Sequence, residues 1–321
     1  MTILITGSEG YLGQALVRKL TVEHDVIGID IRRAATQQQG YKFYEMDIRD
    51  PALAALLQQH RVSHVVHLAS VLQASSDRER DFDIDVNGTR NVLQACLHAG
   101  VQHLTVTSSG AAYGYHADNP EWLRETDTLR GNKAFAYSYH KRKVEELLAE
   151  YRAYHPQLQQ LVLRPGTILG AHTDNQITDL FKRKRLLAIK GAPSPFVFIW
   201  DQDVIDIIYR GVTHSKIGMF NLAGDGAMPI ADIAQRLNKP LLVLSAWLLR
   251  WALRVGHRLG LTQYSAEQLD FLRYRPVLDN TALKLEFGYL PAKTSREVFE
   301  FYLQHHPEVV RAAKQAKEAS T

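Results

Sequence analysis

The opening of the chain, Thr2–Thr6 (TILIT) followed at once by Gly7-Ser8-Glu9-Gly10-Tyr11-Leu12-Gly13, limits the possible folds more than any other stretch. The first segment is short, apolar and β-branched, and reads as a buried strand. A glycine at the end of a strand permits a tight turn. A second lets backbone amides come close to a pyrophosphate, and a third lets the next helix close on the sheet. The apolar spacing of Tyr11–Thr21 supplies that helix, whose N-terminus offers oriented N–H groups to phosphates. Strand, glycine turn and helix in this order predict a dinucleotide-binding βαβ unit.

The second strand, Asp25–Asp30 (DVIGID), ends in an acid at about the 20-residue interval expected of a ribose-binding carboxylate. Asp30 would accept hydrogen bonds from the adenosine ribose and repel the extra phosphate of NADP. Arg32 and Arg33 follow closely and offset part of that repulsion. The expected cofactor is therefore NAD rather than NADP, with Ile31 and Arg32 beside Asp30 on the adenosine side.

Three more apolar runs, His64–Ala69, Gln102–Ser108 and Gln160–Arg164, read as strands. Pro51–Gln59, Val86–Ala99 and Ser138–Tyr154 read as helices between them. Repeated βα units predict an α/β fold, a doubly wound parallel sheet of Rossmann type. We assign residues 1–165 to the dinucleotide domain. Beyond Pro165 the alternation fades, so 166–321 read as a smaller substrate lobe with segments that return to the main sheet. Within it Phe196–Trp200 and Met219–Leu222 read as short strands and Ala246–Gly260 as a helix. His305–Thr321 is a polar tail.

Two further places carry chemistry. Tyr137 and Lys141 are four apart in a helical segment and so share a face. A free phenol has a pKa of about 10, and a nearby ammonium favours the phenolate. Such a pair can exchange a proton with an alcohol or ketone while hydride moves. The segment Thr107-Ser108-Ser109-Gly110-Ala111-Ala112-Tyr113-Gly114 ends the preceding strand, where ligands gather in open α/β sheets. A serine there can hydrogen-bond the reacting oxygen.

Taken together these motifs resemble the extended short-chain dehydrogenase/reductase family, the group of the NAD-dependent epimerases and dehydratases. The likeness covers most of the chain and is strongest over its first ~170 residues, and an ordered set of motifs is more specific than any one of them. The Gly7–Gly13 turn matches, with Tyr11 and Leu12 inside it. Asp47-Ile48-Arg49-Asp50 matches a segment whose first acid lies near the adenine in relatives. His67-Leu68-Ala69-Ser70 matches a strand end that lines the cofactor, and Asp85-Val86-Asn87-Gly88-Thr89 the start of a long helix. The resemblance places Ser109, four before Tyr113, as the catalytic serine and Tyr137 and Lys141 as the catalytic pair. Arg164-Pro165-Gly166 matches the turn after the sixth strand, and Phe198–Val204, with Asp203, a later return to the sheet. It implies NAD held by Gly7, Gly10, Tyr11, Leu12, Gly13, Asp30, Ile31, Arg32, Asp47, Ile48, Leu68, Ala69, Ser70, Asn87, Tyr137, Lys141 and Pro165. It also implies a homodimer formed through Val86–Ala99 and Ser138–Tyr154.

The departures concern the substrate. Nucleotide-sugar members usually carry asparagine after the Arg-Pro turn, where this chain has Thr167. They often place arginine shortly before the Phe-Val motif, where it has Pro193, Ser194 and Pro195. Dehydratases follow the catalytic hydroxyl with an acidic pair, where it has Gly110 and Ala111. Some epimerases carry a lysine after the fourth strand, where it has Leu72.

Other features exclude more than they assign. The net charge of +4 and pI of about 9.0 suit an anionic cofactor as well as nucleic acid. Lys182-Arg183-Lys184-Arg185 reads as a solvated face, so no nucleic acid is expected. Cys96 is the single cysteine, which excludes an internal disulfide and suits a reducing, cytoplasmic setting. No secretory segment is expected, because Thr2–Thr6 already reads as a strand that leads into glycines. No metal is expected, because the 14 histidines show no ligand spacing. Leu241–Leu259 is rich in Leu and Trp, but Arg250, Arg254 and Arg258 recur every fourth residue and interrupt any membrane span. It reads as a lobe helix, with membrane contact or an apolar substrate wall as alternatives.

The sequence thus leads to an NAD-dependent oxidoreductase acting on a small-molecule secondary alcohol or ketone. The alternative is a nucleotide-sugar epimerase that holds NAD tightly. A non-catalytic, NAD-responsive binding protein is the third reading, disfavoured by the Tyr137–Lys141 pair.

Overall fold

The computed structural model describes residues 1–33, 40–72, 75, 77–258 and 269–310. The first half runs β1 (Thr2–Thr6), α1 (Tyr11–Leu20), β2 (Asp25–Asp30), β3 (Tyr41–Glu45), α2 (Leu53–Gln59), β4 (His64–His67), α3 (Arg78–Phe82), α4 (Gly88–Ala99), β5 (His103–Thr107), α5 (Ala136–Tyr154) and β6 (Gln159–Pro165). Then come β7 (Thr167–Leu169), α6 (Gln176–Lys182), β8 (Leu186–Ile189), β9 (Phe198–Trp200), α7 (Asp201–Thr213), β10 (Gly218–Leu222), α8 (Ile230–Arg236), β11 (Leu241–Leu244), α9 (Ala246–Arg258), α10 (Leu269–Arg273) and α11 (Ser295–His305).

Seven strands form one parallel sheet in the order β10-β6-β5-β4-β1-β2-β3. The chain starts in the middle and winds to both sides, so the fold is the doubly wound Rossmann type. The switch of direction lies between β1 and β4, and there the carboxyl ends of the strands open a crevice. Helices α2, α4 and α5 cover one face, with Leu56, Val92, Leu93, Val144, Leu147 and Leu148 in the core. Helices α1 and α7 cover the other, with Leu16, Val17, Leu20, Val204, Ile207 and Ile208. In α5 the buried Val144, Leu147, Leu148 and Tyr151 follow helical spacing, so one stripe meets the sheet.

Sequence reading missed β3. Its residues, YKFYE, are half-exposed at the sheet edge and lack the apolar run that marks a central strand. The long helix expected over Val86–Ala99 begins instead with a wider π-type turn, Asp83–Asn87, and is regular from Gly88. A methyl group on Gly88 would lie 2.6 Å from Ile48 Cδ1, so glycine lets the helix start lie against that segment.

Two segments after Pro165 pair on their own. β7 pairs with β9, and β8 with β11, both in parallel. β10 returns to the main sheet beside β6, as Met219–Leu222 suggested. The third core is centred on a group of rings, Phe181, Phe196, Phe198, Phe299 and Tyr302, packed among aliphatic side chains. The stretch Leu241–Leu259, read as one unit, is two elements. Leu241–Leu244 is β11, held by β8, and the helix read over Ala246–Gly260 does begin at Ala246. Leu259, Gly260 and Arg311–Thr321 of the tail lie outside the described residues. Among the described residues no helix is long and apolar enough to cross a membrane.

Candidate active site at the carboxyl ends of the central strands

Gly7 leaves β1 with φ +69°, and its N–H donates to the Ile29 carbonyl at 2.9 Å. A methyl group on it would sit 2.9 Å from the Ala69 nitrogen. On Gly13 it would sit 2.1 Å from the Gly7 carbonyl oxygen, so α1 closes on β1 with no room for a side chain. Gly10 is the residue before the helix and has no side-chain cap, leaving the first amides of α1 for a ligand. Asp30 is buried. Its Oδ2 accepts Glu9 N–H and its Oδ1 accepts Arg32 N–H, each at 3.1 Å. A carboxylate oxygen has two acceptor positions, so each retains one for a ribose hydroxyl. Backbone approach at the turn, an open helix start and an acceptor pair behind it fit a dinucleotide.

The fold brings Gly7, Gly10, Gly13, Asp30, Leu68 and Ala69 together. Ile31 and Arg32 lie exposed beside Asp30. Arg33 pairs with Glu45 of β3 at 2.9 Å, so its charge is directed to the sheet edge. Leu12 packs into the second core. Tyr11 turns toward the C-terminal half: its hydroxyl donates to Asp201 Oδ2 at 2.5 Å. Burial first, and then that bond, push the phenol up to about 12.

Asp47 is gripped by Arg49, with 2.6 Å between Oδ2 and the guanidinium, which holds its carboxyl below the usual range. Arg49 also reaches Asp83 at 2.8 Å. Ile48 is buried in the core under Gly88. Asn87 is exposed and donates to Asp83 Oδ1 at 2.7 Å. The residue at the strand ends is Asp85, two positions earlier. Its Oδ1 accepts Ser70 Oγ at 2.9 Å and Val71 N–H at 2.8 Å, and His140 Nδ1 lies 3.0 Å from its Oδ2. Burial opposes its charge, but His140, Lys141, Val71 and Ser70 together bring its pKa below the ordinary value. Sequence reading placed Asp85 in the Asp85–Thr89 motif but gave the site role to Asn87, although Asp85 stands one turn before Thr89 on the buried face of that segment.

Beneath Ser70, His67 joins Thr6 Oγ1 at 2.7 Å and Thr89 Oγ1 at 3.0 Å. Burial lowers its pKa to about 4, and the positive charge of Lys141 adds to that. The ring is a neutral strut between β1, β4 and α4.

Lys141 is buried, its Nζ donating to the Thr107 carbonyl at 3.1 Å and lying 5.7 Å from the centre of the Tyr137 ring. Tyr137 is half-buried. Ser109 caps the short turn Gly110–Tyr113, its Oγ accepting Ala111 N–H at 3.1 Å and keeping its own hydrogen to donate. Ser108 has another task. It donates to Glu145 at 2.6 Å, and Glu145 holds Arg164 at 2.6 Å in a buried pair. Arg164 donates to Tyr113 Oη at 2.7 Å, and Tyr113 donates to Asn221 at 2.9 Å. Adjacent serines thus divide into one structural and one candidate catalytic residue. Pro165 ends β6 opposite Leu222, directly after this network.

Around Tyr137 stands an aromatic wall that the sequence did not disclose, to which the C-terminal half adds Phe271 and Arg275. Tyr115, Phe135 and Phe271 meet with ring centres 5.0 to 5.4 Å apart. The Arg275 guanidinium lies 4.3 Å from the Phe271 ring centre and 3.9 Å from that of Phe196. Tyr115 is raised by burial, lowered by Arg275 and raised by Tyr137, so the three polar groups share one electrostatic environment. Among the described residues Arg275 has no carboxylate partner. Pro193–Pro195 was expected to leave the Phe-Val motif without an arginine. Instead Arg275 reaches Phe196 from a distant segment.

Residues 3–209 match the profile of the NAD dependent epimerase/dehydratase family. An uncharacterized protein of Mycobacterium tuberculosis is 24% identical over 319 residues, covering 94% of this chain and 83% of that one. A UDP-glucose 4-epimerase of Erwinia amylovora is 29% identical over 192 residues, 55% of this chain and 56% of that protein. Among solved structures, a UDP-glucose 4-epimerase of Thermus thermophilus in complex with NAD superposes with a TM-score of 0.71 at 20% identity, covering 96% of this chain and 99% of that one.

Proposed function

The chain belongs to the NAD dependent epimerase/dehydratase family and is an enzyme; from that premise we propose that it oxidises or reduces a secondary alcohol or ketone carbon with NAD. The amides of the Gly7–Gly13 turn and the start of α1 would hold the pyrophosphate. Asp30 would hold the adenosine ribose, and Leu68, Ala69 and Ser70 would line the cofactor. NAD supplies the hydride acceptor or donor when bound. Tyr137 takes the proton from the alcohol oxygen, or returns it to the ketone. Lys141 stabilises the phenolate, and Ser109 donates to the same substrate oxygen. The carrying observation is the Lys141 ammonium, fixed on the Thr107 carbonyl beneath the Tyr137 ring.

Tyr137→Phe tests this reading. Turnover on a panel of alcohols and ketones should fall about a thousandfold. The NAD dissociation constant from calorimetry should stay as in the wild type. A variant that keeps the wild-type rate would remove Tyr137 from the chemistry.

Arg275 favours a second reading, inversion at a sugar carbon of a nucleoside diphosphate sugar without net oxidation. A guanidinium without a carboxylate beside the candidate site is a ready partner for a diphosphate. Arg275→Met separates the two. It should raise KM for UDP- or GDP-sugars tenfold or more, an effect of about 1.4 kcal/mol or greater. Neutral ketones should keep their KM. Activity on neutral substrates alone, with no nucleotide sugar bound, would leave the first reading standing.

A further inference from the structure

The C-terminal half carries a surface that hydride transfer does not use. Five large apolar side chains between residues 242 and 251 are exposed: Leu242, Val243, Trp247, Leu248 and Trp251. Trp247 and Trp251 are 70% and 64% exposed and one helical turn apart, so they share a face of α9. Leu249 and Leu253 are partly covered, and α9 packs against α10. Both tryptophans, with Leu248, therefore stand in solvent on a helix that also touches α10, and apolar surface of this kind marks an interaction site.

The charge around it is of one sign. β11 lies beside β8, and β8 is preceded by Arg183, Lys184 and Arg185. These three are exposed and have no carboxylate partner among the described residues. Lys190, also exposed, follows β8 at the other end of the ribbon, where its N–H bonds the Leu244 carbonyl at 2.9 Å. The nearby acids are engaged by other cations: Asp174 and Asp179 share Lys182, and Asp270 lies by Arg250 and Arg273. Arg250 keeps 42% of its side chain exposed beside Trp247 and Trp251, and the sequence repeats arginine at 254 and 258.

We propose that α9 and the β8/β11 ribbon dock on an anionic phospholipid surface, with Trp247 and Trp251 inserted at the headgroup level and Arg183, Lys184, Arg185 and Lys190 against the lipid phosphates. Indole rings settle at that level, and arginine stems extend along apolar surface while the heads stay among phosphates. A second copy of this chain is a poorer occupant, because two-fold pairing would set the same unmatched cations against each other. The described helix, Ala246–Arg258, is too short to span. Thirteen residues at ~1.5 Å each reach about 20 Å, against a core of about 30 Å. The attachment is therefore peripheral. α10 leads from this surface to Phe271 and Arg275, so docking would bring the candidate substrate site close to the bilayer.

The full chain is mixed with vesicles of phosphatidylcholine alone or with phosphatidylglycerol, and bound protein is separated by flotation. Binding should require the anionic lipid and weaken sharply at high salt. R183Q/K184Q/R185Q should lower affinity about a hundredfold, since each cation near such a surface is worth about 1 kcal/mol. W247S/W251S should lower it roughly tenfold and abolish the blue shift of tryptophan emission. Both variants should keep wild-type circular dichroism and turnover of a water-soluble substrate. Absence of binding by the wild type, equal binding to both vesicle types, or unchanged binding by either variant would overturn the proposal. So would light scattering that shows a wild-type dimer broken by W247S/W251S, which would give the surface to a second copy.

Discussion

Around β1, β4 and β5 the buried polar groups are joined in chains: Thr6 to His67 to Thr89, Ser70 and His140 to Asp85, Ser108 to Glu145 to Arg164 to Tyr113. Around β7 and β9 the interior is built on rings, with Phe198 stacked on Phe196 at 5.8 Å and on Phe299 at 5.7 Å, and Phe181 set edge-on to Phe198 and Phe299. The first arrangement allows little exchange, because each lost partner strands another polar group in a dry interior. The second tolerates exchange of apolar shapes so long as volume is kept. The half that carries the glycine turn is thereby held to one geometry, while the aromatic region is free to vary.

The largest effect should come from the tightest backbone contact. In Gly13→Ala the new methyl group would lie 2.1 Å from a carbonyl oxygen that cannot move without shifting β1. We expect NAD binding to be lost in calorimetry and stability to fall by several kcal/mol, in the range of severe overpacking. Next is Glu145→Gln, which leaves the Arg164 guanidinium buried without its carboxylate. A loss of about 3–5 kcal/mol is expected from urea unfolding. A conservative change in the aromatic region, Phe299→Leu, should cost less than either. If it cost more, the contrast between the halves would fail.

The first half was legible because its constraints are local. Gly7, Gly10 and Gly13 are spaced by a backbone turn, Asp30 ends a strand, and Tyr137 and Lys141 share a helical turn. Each relation spans a few residues or one βα unit. Asp85, named only as part of a motif, was given no site role because its partners, Ser70 and His140, are 15 and 55 residues away. Arg275 was missed for the same reason. Its rings belong to Phe196 and Phe271, and only folding brings the former to it. β3 was missed because an edge strand carries a mixed pattern, and Leu241–Leu259 was joined because apolar content alone does not distinguish a short strand from a helix.

The same comparison has a pH dependence. His67 falls from 6.5 to about 4 in the folded protein, because burial and Lys141 disfavour its charged form. The unfolded chain therefore takes up this proton first. Its contribution is fully present above pH 6.5, declines as pH falls below that value, and levels off near 4. At about 1.4 kcal/mol per pH unit the loss is roughly 3 kcal/mol. His64, also brought to about 4 by burial and then by His103, adds to it from the far end of β4. Urea midpoints taken across this range should fall with acid, and His67→Gln should flatten the slope. An unchanged slope would show that the strut between β1, β4 and α4 is not what titrates.

The smallest effect concerns the tether between the halves. The Tyr11 hydroxyl, in the glycine turn, donates to Asp201 at the start of α7. Gly170 makes room for that carboxylate, since a methyl group there would lie 2.1 Å from Asp201 Oδ2. Asp201→Asn keeps an acceptor but removes the charge, so the bond weakens without leaving a buried group stranded. A loss of about 1 kcal/mol is expected in unfolding, the worth of one hydrogen bond. NAD affinity should change by no more than about twofold, because Gly7, Gly10, Gly13 and Asp30 are fixed within the first half alone. A tenfold loss of NAD affinity would mean that α7 sets the conformation of the turn. The cofactor site would then belong to both halves, and the division between a fixed half and a variable one would have to be drawn beyond α7.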